Sequence, residues 1–219
     1  KYESLVTKTK TPLLMGTVDY NYELNERLVY NGAIYFGLKD NKIYHKNFLV
    51  PFAEYIPLSN HFKILKKLNF GQANFSHGKS FSTFPIDTVQ FGNLICYESS
   101  HPFVTRKFMQ NGAKFLTIEA NDAWLRNSSG VRQHFELAVL RAIEQRVGII
   151  RSANTGISGI IQPSGKVDRK VAFGAQKVFN GKVILNDKIT FYGSFGSVFS
   201  QLCFIITLIQ FIWLIKRQN

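Results

Sequence analysis

Short apolar runs broken by polar, turn-forming residues set the pattern of the first half of the chain. Pro12–Tyr20 (PLLMGTVDY) and Leu28–Leu38 (LVYNGAIYFGL) are rich in apolar and aromatic residues, with a polar, Asn-containing stretch between them. That pattern predicts two neighbouring strands. Leu49–Pro57 (LVPFAEYIP) carries two prolines and predicts an irregular loop. Leu58–Phe84 then mixes Lys, Asn, Gly and His with large apolar groups, a long excursion of the kind that is often functional. Its Phe62, Leu65, Leu68, Phe70 and Phe75 are expected either to touch a membrane or an apolar ligand or to fold back on the core. In the first case Lys63, Lys66 and Lys67 would meet lipid phosphates.

The second half alternates strand and helix. Val89–Tyr97 (VQFGNLICY) reads as a buried strand, and Pro102–Asn111 as a helix closed by Gly112. Lys114–Ala120 (KFLTIEA) is a further strand. Val131–Val147 carries Phe135, Ala138, Val139, Ala142, Ile143 and Val147 on one stripe, the spacing of an amphipathic helix. Gly148–Ser152 and Ser158–Gln162 read as strands, with Pro163–Lys166 (PSGK) turning into one more. This alternation predicts the α/β class.

From Phe195 to Ile215 the chain runs for 21 residues without a charge, followed at once by Lys216 and Arg217. That length suits a helix crossing a hydrocarbon core of roughly 30 Å, with Trp213 and the basic pair at a cytoplasmic interface. A buried core helix is the alternative, and Gln201 and Gln210 suit it. In the membrane reading, residues 1–190 form a domain across the membrane, periplasmic in a bacterium. Residues 195–215 then span, and 216–219 are a cytoplasmic basic tail.

Charge sharpens the choice of partner. The 219 residues hold 27 Lys and Arg against 14 Asp and Glu, a net charge of +13. Such a balance favours anionic partners, nucleic acid or a phospholipid surface. No nucleic-acid-binding signature accompanies it, so a membrane partner and no nucleic acid are expected. Two cysteines, Cys96 and Cys203, offer no disulfide framework, and the five histidines show no metal-ligand spacing. Neither metal nor cofactor is expected.

Cys96 ends an apolar strand, where an inert core thiol is the ordinary reading. Its neighbours widen the choice: Cys96-Tyr97-Glu98 leads through a turn towards a helix, which exposes a nucleophile and aims backbone N–H groups at it. A thiolate nucleophile needs a nearby cation and a base. Lys46 precedes the proline-containing loop and is the candidate cation, able to steady a developing oxyanion. Read alone, it is also one of many surface lysines. Glu54, between aromatic neighbours in that loop, is an ion-pair partner for Lys46 or a proton handler. Asn121-Asp122-Ala123-Trp124 and Asn154-Thr155-Gly156 follow strands and suit either turns or substrate contact. From them, Asn121, Trp124 and Asn154 are kept as candidate contacts.

Lys46–Pro57 (KNFLVPFAEYIP), Asn93–Glu98 (NLICYE), Asn121–Trp124 (NDAW), Gln133–Phe135 (QHF) with Arg141–Glu144 (RAIE), and Arg151–Ser158 (RSANTGIS) together resemble the carbon–nitrogen hydrolase, or nitrilase, superfamily. Within it they resemble the apolipoprotein N-acyltransferases. The resemblance covers nearly the whole chain, the terminal apolar run included. It implies a four-layer αββα sandwich followed by one transmembrane helix, and a Glu-Lys-Cys triad. Cys96 matches the nucleophile and Lys46 the lysine. Glu54 matches a second essential glutamate, and Tyr97 and Glu98 the pair that follows the nucleophile. The family's general-base glutamate lies upstream of the matched segment. Glu3 does not fit its motif, so the sandwich is expected to be N-terminally incomplete. With Lys1 in place of Met and no signal peptide before the first strand, the chain is expected to be a fragment, inactive alone.

The implied reaction moves an acyl chain from a phospholipid through a Cys96 thioester to the α-amine of a diacylglyceryl-cysteine lipoprotein. The implied place is the bacterial inner membrane. Two rivals remain at this point: a nitrilase-type amidase acting on small C–N bonds, and a catalytically dead, membrane-tethered module.

Overall fold

The computed structural model describes residues 1–218 except 24–25, 60–61, 63, 66–73 and 127. Two sheets face each other. In the first, β1 (Leu13–Glu23), β2 (Glu26–Phe36) and β3 (Asn41–His45) pair antiparallel in the order β1-β2-β3. In the second, six strands stand in sequence order: β4 (Phe84–Ile86), β5 (Val89–Ile95), β6 (Phe115–Ala120), β7 (Ile149–Ala153), β8 (Ser158–Ile161) and β9 (Val167–Val171).

Strands β5, β6 and β7 run parallel. Parallel neighbours need long crossovers, and the helices α2 (Pro102–Gln110) and α3 (Ser129–Gln145) supply them. Helices then cover one face of this sheet while the first sheet covers the other. The central strands therefore read as nearly unbroken apolar runs. Phe91 to Ile95 are all buried.

Helix α1 (Tyr2–Thr9) lies on β2, β2 faces β5, and α2 packs on β5 from the far side. This is the expected four-layer order, helix, sheet, sheet, helix. Tyr35 stacks on Phe84 at 5.3 Å between ring centres and meets Phe91 edge-on at 5.6 Å, tying the sheets together. Gly92 is required where α2 approaches β5, because a Cβ there would lie 2.5 Å from the Phe108 ring.

Helix ends follow local chemistry. Ser128 caps α3 by accepting from the Gly130 N–H at 3.2 Å. Gly112, at φ 89°, follows α2 where a left-handed residue is needed. Helix α3 stops at Gln145, two residues short of expectation, because Arg146 turns left-handed. Val147 nevertheless stays fully buried, so the apolar stripe outlasts the helix. Ile143, counted on that stripe, is 37% exposed.

The elements α1, β3 and β4 are not anticipated by the apolar pattern, and neither is α4 (Phe191–Phe195). They are short, and tertiary contacts decide short segments more than local propensity does. The apolar tail is divided accordingly. Phe195 ends α4, Gly196 turns at φ 72°, and α5 runs from Val198 to Gln218. Arg106 of α2 clasps the end of α4, donating to the Gly193 and Ser194 carbonyls at 3.2 and 3.1 Å. A cation there complements the helix C-terminus.

Helix α5 is long and apolar enough to cross a membrane, and the window that qualifies is wholly unburied. None of the described residues covers it, so within this chain it is not a buried core helix. Of the long excursion, Phe62 is 57% exposed, while Leu65 and Phe75 are half-buried. Leu68, Phe70, Lys63, Lys66 and Lys67 lie outside the described residues. The returning leg is anchored: Phe75 N–H donates to the Glu54 carbonyl and Gly78 N–H to the Lys46 carbonyl, both at 2.8 Å.

Candidate active site

Strand β5 ends at Ile95, and Cys96 opens a 3-10 turn over Cys96–Ser100. Cys96 takes φ 51°, in the left-handed region. A non-glycine residue held there costs about 1 kcal/mol or more and persists only where its surroundings enforce it. The enforcement is visible on its carbonyl, which accepts from the Ser99 hydroxyl at 2.8 Å and lies 3.0 Å from His134 Nε2. The elbow turns the thiol into a cavity of about 750 Å³.

Beneath the elbow lies a buried polar chain. His134 Nδ1 lies 2.8 Å from Asp122 Oδ1, and Arg151 donates to Asp122 Oδ2 at 2.9 Å. Arg151 also donates through Nε to the Ile157 carbonyl at 3.0 Å. Burial alone would push the Asp122 carboxyl up, but His134 and Arg151 outweigh it and hold the group below its ordinary value. Gly156 must be glycine here, since a Cβ would fall 2.0 Å from Asp122 Oδ2.

Cys96, Asp122 and His134 bring three ligand atoms within 4.8 Å of one another. The set does not suit a metal ion. Asp122 gives one oxygen to His134 and the other to the Arg151 guanidinium, which already places a cation beside the carboxylate.

Lys46 follows β3 directly and is 1% exposed. Its ammonium donates to both Glu54 oxygens, at 2.9 and 2.8 Å. Glu54 also accepts from Asn31 Nδ2 at 2.8 Å and the Val50 N–H at 2.6 Å. Of the two roles open to Glu54, the ion pair is the one the geometry realises. Glu98 is fully buried and accepts from Tyr44 OH, the Asn47, Phe48 and Ile95 N–H groups, at 2.8, 2.7, 3.2 and 2.9 Å. Burial pushes its carboxyl up against the pull of those bonds. Glu98 thereby staples the turn at Cys96 to the backbone just after Lys46. Tyr97 meets His101 edge-on at 4.7 Å.

Asn121, Trp124 and Asn154 line the cavity together with Cys96 and Glu54. Trp124 is 66% exposed at the mouth. Glu3, by contrast, sits on α1 and pairs with Asn41. Two groups escaped the sequence reading: the Asp122–His134–Arg151 chain, and Glu119 in the cavity wall. The alternation in β6 carries a signal for the latter, because Thr117 and Glu119 fall on one face of an otherwise apolar strand.

Burial pushes the Cys96 thiol up. Lys46, the Asn121 N–H and Arg151 pull it down without prevailing, and Asp122 adds to the rise. A thiol above its ordinary value is mostly un-ionised at neutral pH. Alkylation of Cys96 in this chain should therefore be slow at pH 7 and rise through a midpoint above that of an ordinary thiol. Peptide mapping against exposed Cys203 measures it. A midpoint below that of an ordinary thiol would mean that Lys46 and Arg151 dominate instead.

Residues 1–186 match the carbon–nitrogen hydrolase family. The apolipoprotein N-acyltransferase of Geobacter metallireducens is 32% identical over 93% of this chain and 39% of its own length. That of Chlorobaculum tepidum is 32% identical over 91% of this chain and 42% of its own. The chain thus spans about two fifths of these relatives. A crystal structure of a Saccharomyces cerevisiae protein from branch 10 of the nitrilase superfamily superposes with a TM-score of 0.60. It is 19% identical and covers 80% of this chain and 60% of that one. With the family model matching residues 1–186 of 219, the chain belongs to the carbon–nitrogen hydrolase family.

Proposed function

We propose that this chain carries the acyl-transfer site of a membrane-anchored N-acyltransferase. Cys96 takes an acyl group from a phospholipid and passes it to the N-terminal amine of a diacylglyceryl-cysteine lipoprotein. The observation that carries the reading is the strained elbow at Cys96, opening into a large cavity on a domain that bears an uncovered apolar helix. The names of the relatives support the acceptor class.

In the first half, the thiol gives up its proton, the thiolate attacks the ester carbonyl, the C–O bond breaks, and that proton ends on the lysophospholipid oxygen as it leaves. Lys46 lends positive charge to thiolate and oxyanion, and Glu54 holds that ammonium in one place. The Asn121 N–H, which pulls the Cys96 thiol down, helps fix the nucleophile. Glu98 and Tyr97 support the turn, and Asn121, Trp124 and Asn154 border the substrate. No cofactor takes part.

Residues 1–190 form the catalytic domain in this reading, 195–215 the span, and 216–219 a basic tail on the cytoplasmic side of a bacterial inner membrane, with catalysis in the periplasm. The chain by itself should turn over slowly. Its thiol is poorly ionised, while Glu54 and Glu98 are committed to other partners and unable to take its proton.

Incubating the full-length protein with phospholipid vesicles, or with a small amide, and mapping adducts by mass spectrometry tests the reading. A long-chain thioester on Cys96 from phospholipid is expected. Turnover of the amide alone would make the protein an amidase and overturn it.

A further inference from the structure

Glu119 is a carboxylate in the cavity wall that the mechanism above leaves unused. Strands β5 and β6 pair in register there, Asn93 beside Thr117 and Ile95, the residue before the nucleophile, beside Glu119. The Thr117 hydroxyl donates to Asn93 Oδ1 at 2.7 Å, which fixes the amide so that its Nδ2 donates to Glu119 Oε2 at 3.0 Å. From the first sheet, the Gly16 backbone N–H pulls this carboxyl down. Glu119 Oε1 lies 3.9 Å from where a Gly16 Cβ would sit, so the first sheet approaches closely.

Its described partners are therefore neutral donors. The other acidic groups of the site differ. Glu54 is neutralised by Lys46, Asp122 by Arg151, and Glu98 is sealed from the cavity by four hydrogen bonds. A carboxylate oriented by neutral groups, uncompensated and facing a substrate cavity, repels phosphate and carboxylate and attracts a cation. Burial raises the Glu119 carboxyl above its usual value, which also suits it to hold a proton briefly.

We infer that Glu119 is the docking carboxylate for a primary ammonium group. The inference rests on the acyl-transfer reading, which supplies two such groups: the α-amine of the acceptor and the headgroup of a phosphoethanolamine donor. For the acceptor, one ammonium proton passes to Glu119 and the neutral nitrogen attacks the Cys96 thioester. The C–N bond forms, the C–S bond breaks, and the second nitrogen proton goes to the departing thiolate. Glu119 then releases its proton to water.

The test uses the full-length protein in vesicles of phosphatidylglycerol or of phosphatidylethanolamine, with a diacylglyceryl-cysteine peptide as acceptor. Glu119→Gln should lower amide formation at least tenfold in phosphatidylglycerol and raise the KM for the peptide, with acylation of Cys96 reduced far less. Glu119→Asp should recover part of the loss. A fall in acylation confined to phosphatidylethanolamine would support the inference and identify the donor headgroup as the ammonium. Amide formation within twofold of the parent in both vesicles would overturn it.

Binding gives a readout that needs no chemistry and no Glu119 variant. The Cys96→Ala protein should bind the free-amine peptide at least tenfold more tightly than its N-acetylated form, and equal binding would also overturn the inference. If the parent protein never acylates Cys96, the acyl-transfer reading fails, whereas discrimination between the two peptides would still sustain the ammonium site.

Discussion

Cys96→Ser in the full-length protein should abolish covalent acylation from phospholipid, a loss on the order of 10⁴-fold or more in turnover. Serine nearly preserves the shape of the side chain, so the left-handed elbow and its bonds to Ser99 and His134 remain. What disappears is the ionisable sulfur. Glu54 and Glu98 are no substitute base, since Glu54 is bound by Lys46 and Glu98 by four donors. A hydroxyl gives up its proton far less readily than a thiol and is the poorer nucleophile here. Intact-mass analysis after incubation with phospholipid reads the result. An acyl label that survives the substitution, or that maps to Cys203, would remove Cys96 from the mechanism.

Asp122→Asn should be the most destabilising single change near the site. Arg151 is fully buried, and its charge is balanced by Asp122 at 2.9 Å. Breaking a buried pair by neutralising one partner costs about 3–5 kcal/mol, because the remaining charge is left uncompensated. The His134 ring loses its anchor as well, and with it the contact beneath the Cys96 carbonyl. Urea unfolding should show the loss, and a change below about 0.5 kcal/mol would mean that Asp122 is spectator rather than brace. The pH dependence has a definite sign. The folded carboxyl is held below its ordinary value of 3.8. Its stabilisation is therefore complete above that value and disappears as the pH falls through the lower, folded one. The Asn variant should lack this part of the acid transition.

The chain's own pattern determines a good deal. The runs that became β1, β2, β5 and β6 are legible because each strand must put apolar groups on a buried face. The crossover helix α3 is legible from its stripe. Cys96 at the end of a buried strand, Lys46 before a proline-fixed loop, and the uncharged run that became α5 all follow from residues close together in sequence.

What the pattern could not decide is which distant groups meet. Glu54 reads equally as ion pair or proton handler until β3 and its loop fold, and only then do both oxygens face Lys46. Glu98 looks like a companion of Cys96, yet its partner at Asn47 is 51 positions away and depends on the two sheets facing each other. Helix α4 exists because Arg106 and Gln110 of α2 hold its backbone. Glu119 is only partly legible to local reading for the same reason. Alternation along β6 says that it shares a face with Thr117, but whether that face meets solvent, a cation or a cavity is set by what lies opposite. Gly16 lies opposite, on a strand from the other sheet. Periodicity records how much of each element is buried, whereas the chemistry of a buried polar group depends on its partners, and those come from topology.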